Sequence, residues 1–272
     1  MSFWQKILEL FDTKMQTPTL YGWYHIVSIA MTALVIVYLC VCHRYDRPSQ
    51  IRKTVLFTAI LVAVLEIYKQ INFSFSYSDG ISFDYQWYAF PFQFCSTPMY
   101  IGFLAGLTKK GKVHDAACAY LATYAMFAGF CVMFYPATVF IDTIGINVQT
   151  MVCHGSMIWI GISLLATGYV KIEHKTILRA IPVFICLVGM AALMNEIAYR
   201  VGLLETETFD MFFISPYGTP SLPVYSMVQG ALPFPWCLVV YILGFSLAAY
   251  LILLIAMGIN KIFPKQKLKI TA

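Results

Sequence analysis

Cys95, in the string PFQFC, and His154, in the string MVCHG, are a thiol nucleophile and an imidazole base, each set a few positions inside a long apolar run. A thiol attacks poorly until a base removes its proton, and a histidine titrates in the range where it can do so. An ionisable group in hydrocarbon is costly, so its presence there marks function by default. The two residues make a site only if the chain delivers both to the same side of one membrane. The elements that carry them therefore decide the matter.

Of the 272 residues, 60% are apolar and 11% charged, with a mean hydropathy of +0.74. That balance excludes an ordinary soluble domain and specifies a multi-pass membrane protein. The opening MSFWQKILELFDTKM mixes charges and aromatics without the apolar core and cleavage site of a signal peptide, and reads as an amphipathic lead-in. A hydrocarbon core about 30 Å thick needs roughly 20 apolar residues of helix. Seven stretches meet or approach that length: 21–42, 53–73, 90–107, 113–135, 150–170, 177–200 and 233–260, the third being short and interrupted by Pro98. No internal repeat, low-complexity tract or composition shift divides the chain. The expected fold is an all-α, seven-transmembrane-helix bundle forming one domain over residues 1–272.

The connecting segments alternate in charge. Arg44, Arg47, Arg52 and Lys53 follow the first stretch, Lys109, Lys110 and Lys112 the third, Lys171, Lys175 and Arg179 the fifth, and Lys261, Lys265, Lys267 and Lys269 the seventh. The other connections hold Asp79 and Asp84, Asp142, and Glu205, Glu207 and Asp210. By the positive-inside rule the basic loops are cytoplasmic, which puts the N-terminus outside and the C-terminus in the cytoplasm. The formal charge of +5 is thus a topology signal, and no nucleic-acid partner is expected. The outer connections, 74–89 and 201–232, are long and rich in Tyr, Phe, Ser, Pro and Gly, so the outer face is the elaborated one.

With that orientation, Cys95 and His154 enter from the same side to depths that agree within about one turn, roughly 5 Å. Two outward-running helices bring Glu66, Lys69, Gln70 and Asn72, and Asn195, Glu196 and Arg200, to the same layer. Glu66, Lys69 and Gln70 share a face by their spacing, which lets Glu66 and Lys69 pair and reduce each other's burial cost. The plainer reading is structural, with the ion pair and the amides fastening helices together. The eight cysteines fall within or at the ends of the spans and the outer loops hold none, which argues against a disulfide framework. Neither Cys40–Cys42 nor Cys153–His154 supplies a zinc ligand set, and no metal or other cofactor is expected.

The segments PFQFC and MVCHGSMIW, and the stretch from Asn195 through FFISPYGTPSLPVYSMVQGALPFPW, resemble the YwaF-like family of seven-helix bacterial membrane proteins. That family is similar to a eukaryotic transmembrane ether-phospholipid acyltransferase and, more distantly, to membrane hydrolases of fatty acid esters. Pro91, Gln93 and Cys95 fill its third-helix motif, and Cys153, His154 and Gly155 its fifth-helix motif; Asp210 and Met211 stand where the family usually carries an Asn-Tyr pair. The resemblance implies a multi-pass protein of the bacterial plasma membrane, with Cys95 as acyl-accepting nucleophile and His154 as base.

The expected function is then transfer or hydrolysis of a lipid acyl group, with membrane phospholipid or another lipid as donor and acceptor. Gln93, Gln70 or Asn195 would donate to the developing oxyanion, Glu66 or Glu196 would orient His154, and Lys69 or Arg200 would meet a lipid phosphate. The rival is a transporter or substrate-binding component in which Glu66, Lys69, His154 and Glu196 form a proton- or ligand-linked pocket without covalent chemistry. A retinal protein is excluded, since residues 234–259 contain no lysine for a Schiff base. The short intracellular loops leave little surface for a signalling partner.

Overall fold

The computed structural model describes residues 3–42, 48–76, 80–218 and 222–262. Arg44, Arg47, Asp79, Lys265, Lys267 and Lys269, which contribute to the loop-charge pattern, lie outside these residues. Within them the chain runs through α1 (Phe3–Phe11), α2 (Trp23–Cys42), α3 (Pro48–Asn72), a two-stranded hairpin of β1 (Phe75–Ser76) and β2 (Ser82–Phe83), α4 (Thr97–Leu107), α5 (Lys112–Phe134), α6 (Ile144–Ala166), α7 (Lys175–Arg200), α8 (Pro223–Ala231) and α9 (Phe234–Ile262). Six of these helices are long and apolar enough to cross a membrane: α2, α3, α5, α6, α7 and α9.

The third expected span is the exception. Residues 90–96 form turns and helix begins only at Thr97, which leaves α4 with 11 residues. Proline supplies the reason: Pro98 has no N–H to give and fits only a helix's first turn, so the helix cannot extend back through it. At about 1.5 Å per residue α4 alone is short of a bilayer, and the turns before it complete the run along α3, from Ala89 beside Gln70 to Gly106 beside Arg52. The fifth span departs in the opposite direction and starts at Ile144, six residues before the expected 150. The Asn147 side chain holds both the N–H and the carbonyl of Ile141, and Ile144 N–H donates to the Thr13 carbonyl, so residues 144–149 wind into helix, polar Asn147 and Gln149 included.

α6 is the most enclosed element, packed on α2, α3 and α5, and its buried residues run on all sides from Ile146 to Leu165. Membrane helices approach closely where side chains are absent. A Cβ at Gly129 of α5 would sit 2.7 Å from the His154 carbonyl, and one at Gly155 of α6 would sit 2.6 Å from Thr32 Oγ1 of α2. Glycines thus seat α6 on both neighbours at the level of His154. α5 itself contains a π-helical turn at Leu121–Ala125. It delivers Tyr120 to Thr97 of α4, hydroxyl to hydroxyl at 3.0 Å, and Tyr124 to Ser246 of α9 at 2.6 Å. At the end of the bundle nearest Cys95, α1 is tied down through Phe11, whose carbonyl accepts from Tyr68 and Asn72 of α3.

Candidate active site

Because α4 starts late, Cys95 lies in a turn just before a helix N-terminus. It opens on a cavity of about 700 Å³ whose walls include Lys69, Gln93, Ser96, Gln149, Cys153, His154, Asp210 and Phe213. The structure therefore brings Cys95 and His154 to one chamber, by a different route from the expected one. Cys95 precedes its helix, and His154 is well inside α6, because α6 starts early. Cys153 lines the same chamber, and its thiol donates to the Cys95 carbonyl at 3.6 Å.

His154 is 5% exposed. Its Nδ1 lies 2.7 Å from the Thr150 carbonyl, which can only accept, so Nδ1 carries the proton. Nε2 is left as a bare acceptor, buried and without a hydrogen-bond partner. A buried unsatisfied nitrogen is disfavoured by about 1–3 kcal/mol and calls for an explanation. Here it belongs to a histidine on the wall of a cavity, in the tautomer that a base requires. The group that sets this tautomer is the Thr150 carbonyl, in place of the carboxylates expected for the task.

Glu66 is instead the hub of a separate layer. Oε1 receives the Lys69 ammonium at 2.7 Å and Gln70 Nε2 at 2.8 Å, and Oε2 receives Gln149 Nε2 at 3.3 Å. Gln70 also donates to the Ala89 carbonyl and accepts from Tyr85. Glu196 and Arg200 pair with each other at 2.6 Å on an exposed face, where Glu196 also takes the Tyr217 hydroxyl. Glu196 is not among the residues lining the cavity.

The two remaining amides hold a loop. Gln93 Nε2 donates to the Asp210 carbonyl at 3.0 Å while its Oε1 accepts the Phe212 N–H at 3.1 Å. Asn195 does the same for Met211, with 3.0 Å and 2.7 Å bonds to its carbonyl and N–H. Tyr241 donates to the Phe212 carbonyl at 3.0 Å. This grip sustains Phe212 and Phe213 at φ of 61° and 57°, conformations that cost on the order of 1–3 kcal/mol each and persist only where surroundings impose them. Asp210 accepts the Ser215 N–H at 2.8 Å, and burial pushes its carboxyl up to about 6, with the Ser215 and Ile214 N–H groups pulling the other way. Sequence does not single out Gln149 or Ser96, and it marks Asp210 and Met211 only as a departure from the family pattern. Ser96 adjoins Cys95 in the chain, but nothing in the sequence shows that the 210–213 loop folds back onto the site.

A second cysteine–histidine pair lies at the opposite end of α5. Cys118 Sγ is 3.5 Å from His114 Nε2, which also meets the Tyr169 hydroxyl at 2.7 Å, while Nδ1 faces Thr108 at 3.4 Å. Both His114 nitrogens are engaged, and Cys118 is 2% exposed and lines none of the cavities described. Proximity alone would favour this pair over Cys95 and His154. Access to the cavity and an unengaged nitrogen distinguish Cys95 and His154 from this packed polar cluster. Among the described residues no group of three or more His, Cys, Asp or Glu side chains could hold a metal ion.

The chain belongs to the TMEM164 family, whose model matches residues 20–259, and is accordingly an integral, multi-pass membrane protein. No curated protein and no solved structure matches it.

Proposed function

We propose that this member of the TMEM164 family is a lipid acyltransferase or acyl hydrolase that works through a Cys95 thioester. The observation that carries the reading is the bare Nε2 of His154 on the wall of the cavity onto which the Cys95 thiol opens. The resemblance of PFQFC and MVCHG to the YwaF-like proteins, and through them to an ether-phospholipid acyltransferase, gives the direction. The loop charges support an orientation with this cavity toward the outer leaflet and the N-terminus outside, and the resemblance to the YwaF-like proteins supports a bacterial plasma membrane as the setting.

In the first step His154 Nε2 takes the thiol proton as Cys95 Sγ adds to an ester carbonyl carbon, and the carbonyl π pair moves onto oxygen. The oxyanion collapses and the C–O bond to the glycerol oxygen breaks. That oxygen takes the proton from Nε2 and leaves as the free hydroxyl, which leaves an acyl thioester on Cys95. In the second step His154 removes a proton from an acceptor hydroxyl or water as it attacks the thioester, and the thiol is regenerated. Cys153, adjacent to both, is hydrogen-bonded to the Cys95 carbonyl and so holds the nucleophile's turn in place.

The test is intact-mass analysis of the purified protein after incubation with phospholipid. A hydroxylamine-labile acyl adduct is expected on the wild type and on Cys118→Ala, and none on Cys95→Ala, with His154→Ala slowed by about a hundredfold or more. A second reading, a ligand-linked transporter, is favoured by the non-helical backbone before α4 and the buried Glu66–Lys69 pair, features that line cavities in transporters. It predicts that Cys95→Ala keeps full activity and Glu66→Gln loses it.

A further inference from the structure

The acyl-transfer reading requires a group that stabilises negative charge on the carbonyl oxygen. Gln70 gives both amide N–H bonds to protein, to Glu66 and the Ala89 carbonyl, while Gln149, Gln93 and Asn195 each give one, to Glu66, Asp210 and Met211, and are neutral donors held to other tasks. The ion pair beside them is asymmetric. Glu66 is 5% exposed, has three hydrogen-bonding partners and is absent from the cavity wall. Lys69 is on that wall, and the contact with Glu66 Oε1 engages one of the ammonium's three N–H bonds.

We infer that Lys69 is the electrophilic catalytic residue of this cavity. Its ammonium, fixed by Glu66, donates to the oxyanion formed when Cys95 adds to the ester. The inference rests on the acyl-transfer reading and adds a residue to it. A pair that served only to fasten α3 would have both ends absorbed by protein. Here the anionic end is absorbed and the cationic end faces the chamber. Cys95 lines the same chamber as Lys69, so the cation and the thiol face one space. No proton needs to leave Lys69: it hydrogen-bonds the oxygen while the electron pair resides there and releases it on collapse. Gln70 and Gln149 grip Glu66 so that the cation is in place before charge develops. Such preorganisation gives a fixed donor its catalytic worth, and the low polarity of the surroundings strengthens it.

The experiment compares Lys69→Met, Lys69→Arg and the double variant Glu66→Met with Lys69→Met, in lipid nanodiscs. The double variant leaves no buried carboxylate unpaired, so it tests the point even if Lys69→Met alone fails to fold. The expected result is a kcat about a hundredfold lower with KM within a few fold of wild type, partly restored in Lys69→Arg. Iodoacetamide labelling at the Cys95 peptide, at one fixed pH, should also slow several fold without the cation, a readout that a purely structural lysine would not move. Wild-type kcat and wild-type labelling in the double variant overturn the assignment. Turnover that survives Cys95→Ala overturns the acyl-transfer reading instead, so the two failures are distinguishable.

Discussion

Gln93 holds Phe212 in a left-handed backbone conformation. The side-chain oxygen accepts the Phe212 N–H at 3.1 Å and the side-chain nitrogen donates to the Asp210 carbonyl at 3.0 Å, so the amide brackets Met211 and pins the entry to Phe212, whose φ is 61°. One side chain thereby ties the turn that carries Cys95 to the loop that forms the far wall of the cavity. A residue whose position two before Cys95 suggests oxyanion stabilisation is thus a brace.

The consequence is a stability effect. Gln93→Leu leaves the Asp210 carbonyl and the Phe212 N–H without their partner, which is expected to lower unfolding stability by about 2–4 kcal/mol. Gln93→Glu keeps the acceptor but loses the donor, so its cost should be smaller. Equilibrium unfolding in mixed micelles, with limited proteolysis of residues 201–218, measures both. A Gln93→Leu protein of wild-type stability that has lost turnover would return the amide to the reaction.

The packing of α6 gives a second expectation, at the level of His154. Gly129→Ala puts a methyl 2.7 Å from the His154 carbonyl and 2.9 Å from Met157 Cβ, and Gly155→Ala meets Thr32 Oγ1 at 2.6 Å. At Gly129 the obstacle is backbone, which cannot yield, and at Gly155 it is the side chain of buried, β-branched Thr32, so each is expected to lose about 1–3 kcal/mol, the usual penalty of overpacking. Gly189→Ala and Gly244→Ala, where a Cβ meets nothing within 4 Å, are the controls and should be neutral or slightly stabilising. Thermal unfolding of the four variants decides it. Equal behaviour would mean that the seat of α6 is looser than its contacts indicate.

Much of this arrangement is legible in the sequence because hydrocarbon imposes strong rules. The starts of α2, α5, α7 and α9 fall within two residues of the expected stretches, since long apolar runs have few alternatives to helix. The same physics brings Cys95 and His154 to one chamber. What the pattern cannot convey is local: Pro98 reads as an interruption, when it sets the first turn of α4 and leaves Cys95 on non-helical backbone. Nor does residue type reveal who bonds whom. Gln70, Gln93 and Asn195 look like donors to a substrate and are engaged by protein, and Glu196 looks buried and is paired at the surface. For Gln93 the assignment depends on where the 210–213 loop folds, a contact across more than a hundred residues that no local spacing encodes.

That loop also carries a pH dependence whose sign follows from burial. The Asp210 carboxyl titrates near 6 in the folded protein, above the ordinary carboxylate range near 4, because desolvation disfavours its charged form more than the Ser215 and Ile214 N–H groups favour it. Between those two values the folded state binds more protons than the unfolded state, so this group's contribution to stability is complete below about 4 and is lost as the pH rises to about 6. Above that range the carboxylate is charged in both states and the contribution is flat. Asp210→Asn removes the titration while leaving an oxygen to accept the Ser215 N–H. The variant is therefore expected to match the wild type near pH 4 and to exceed its stability at pH 7. Subtracting the two unfolding curves across that range cancels the other acids. A difference that stays constant from pH 4 to pH 7 would show that Asp210 is solvated, and that the loop does not seal the cavity at this edge.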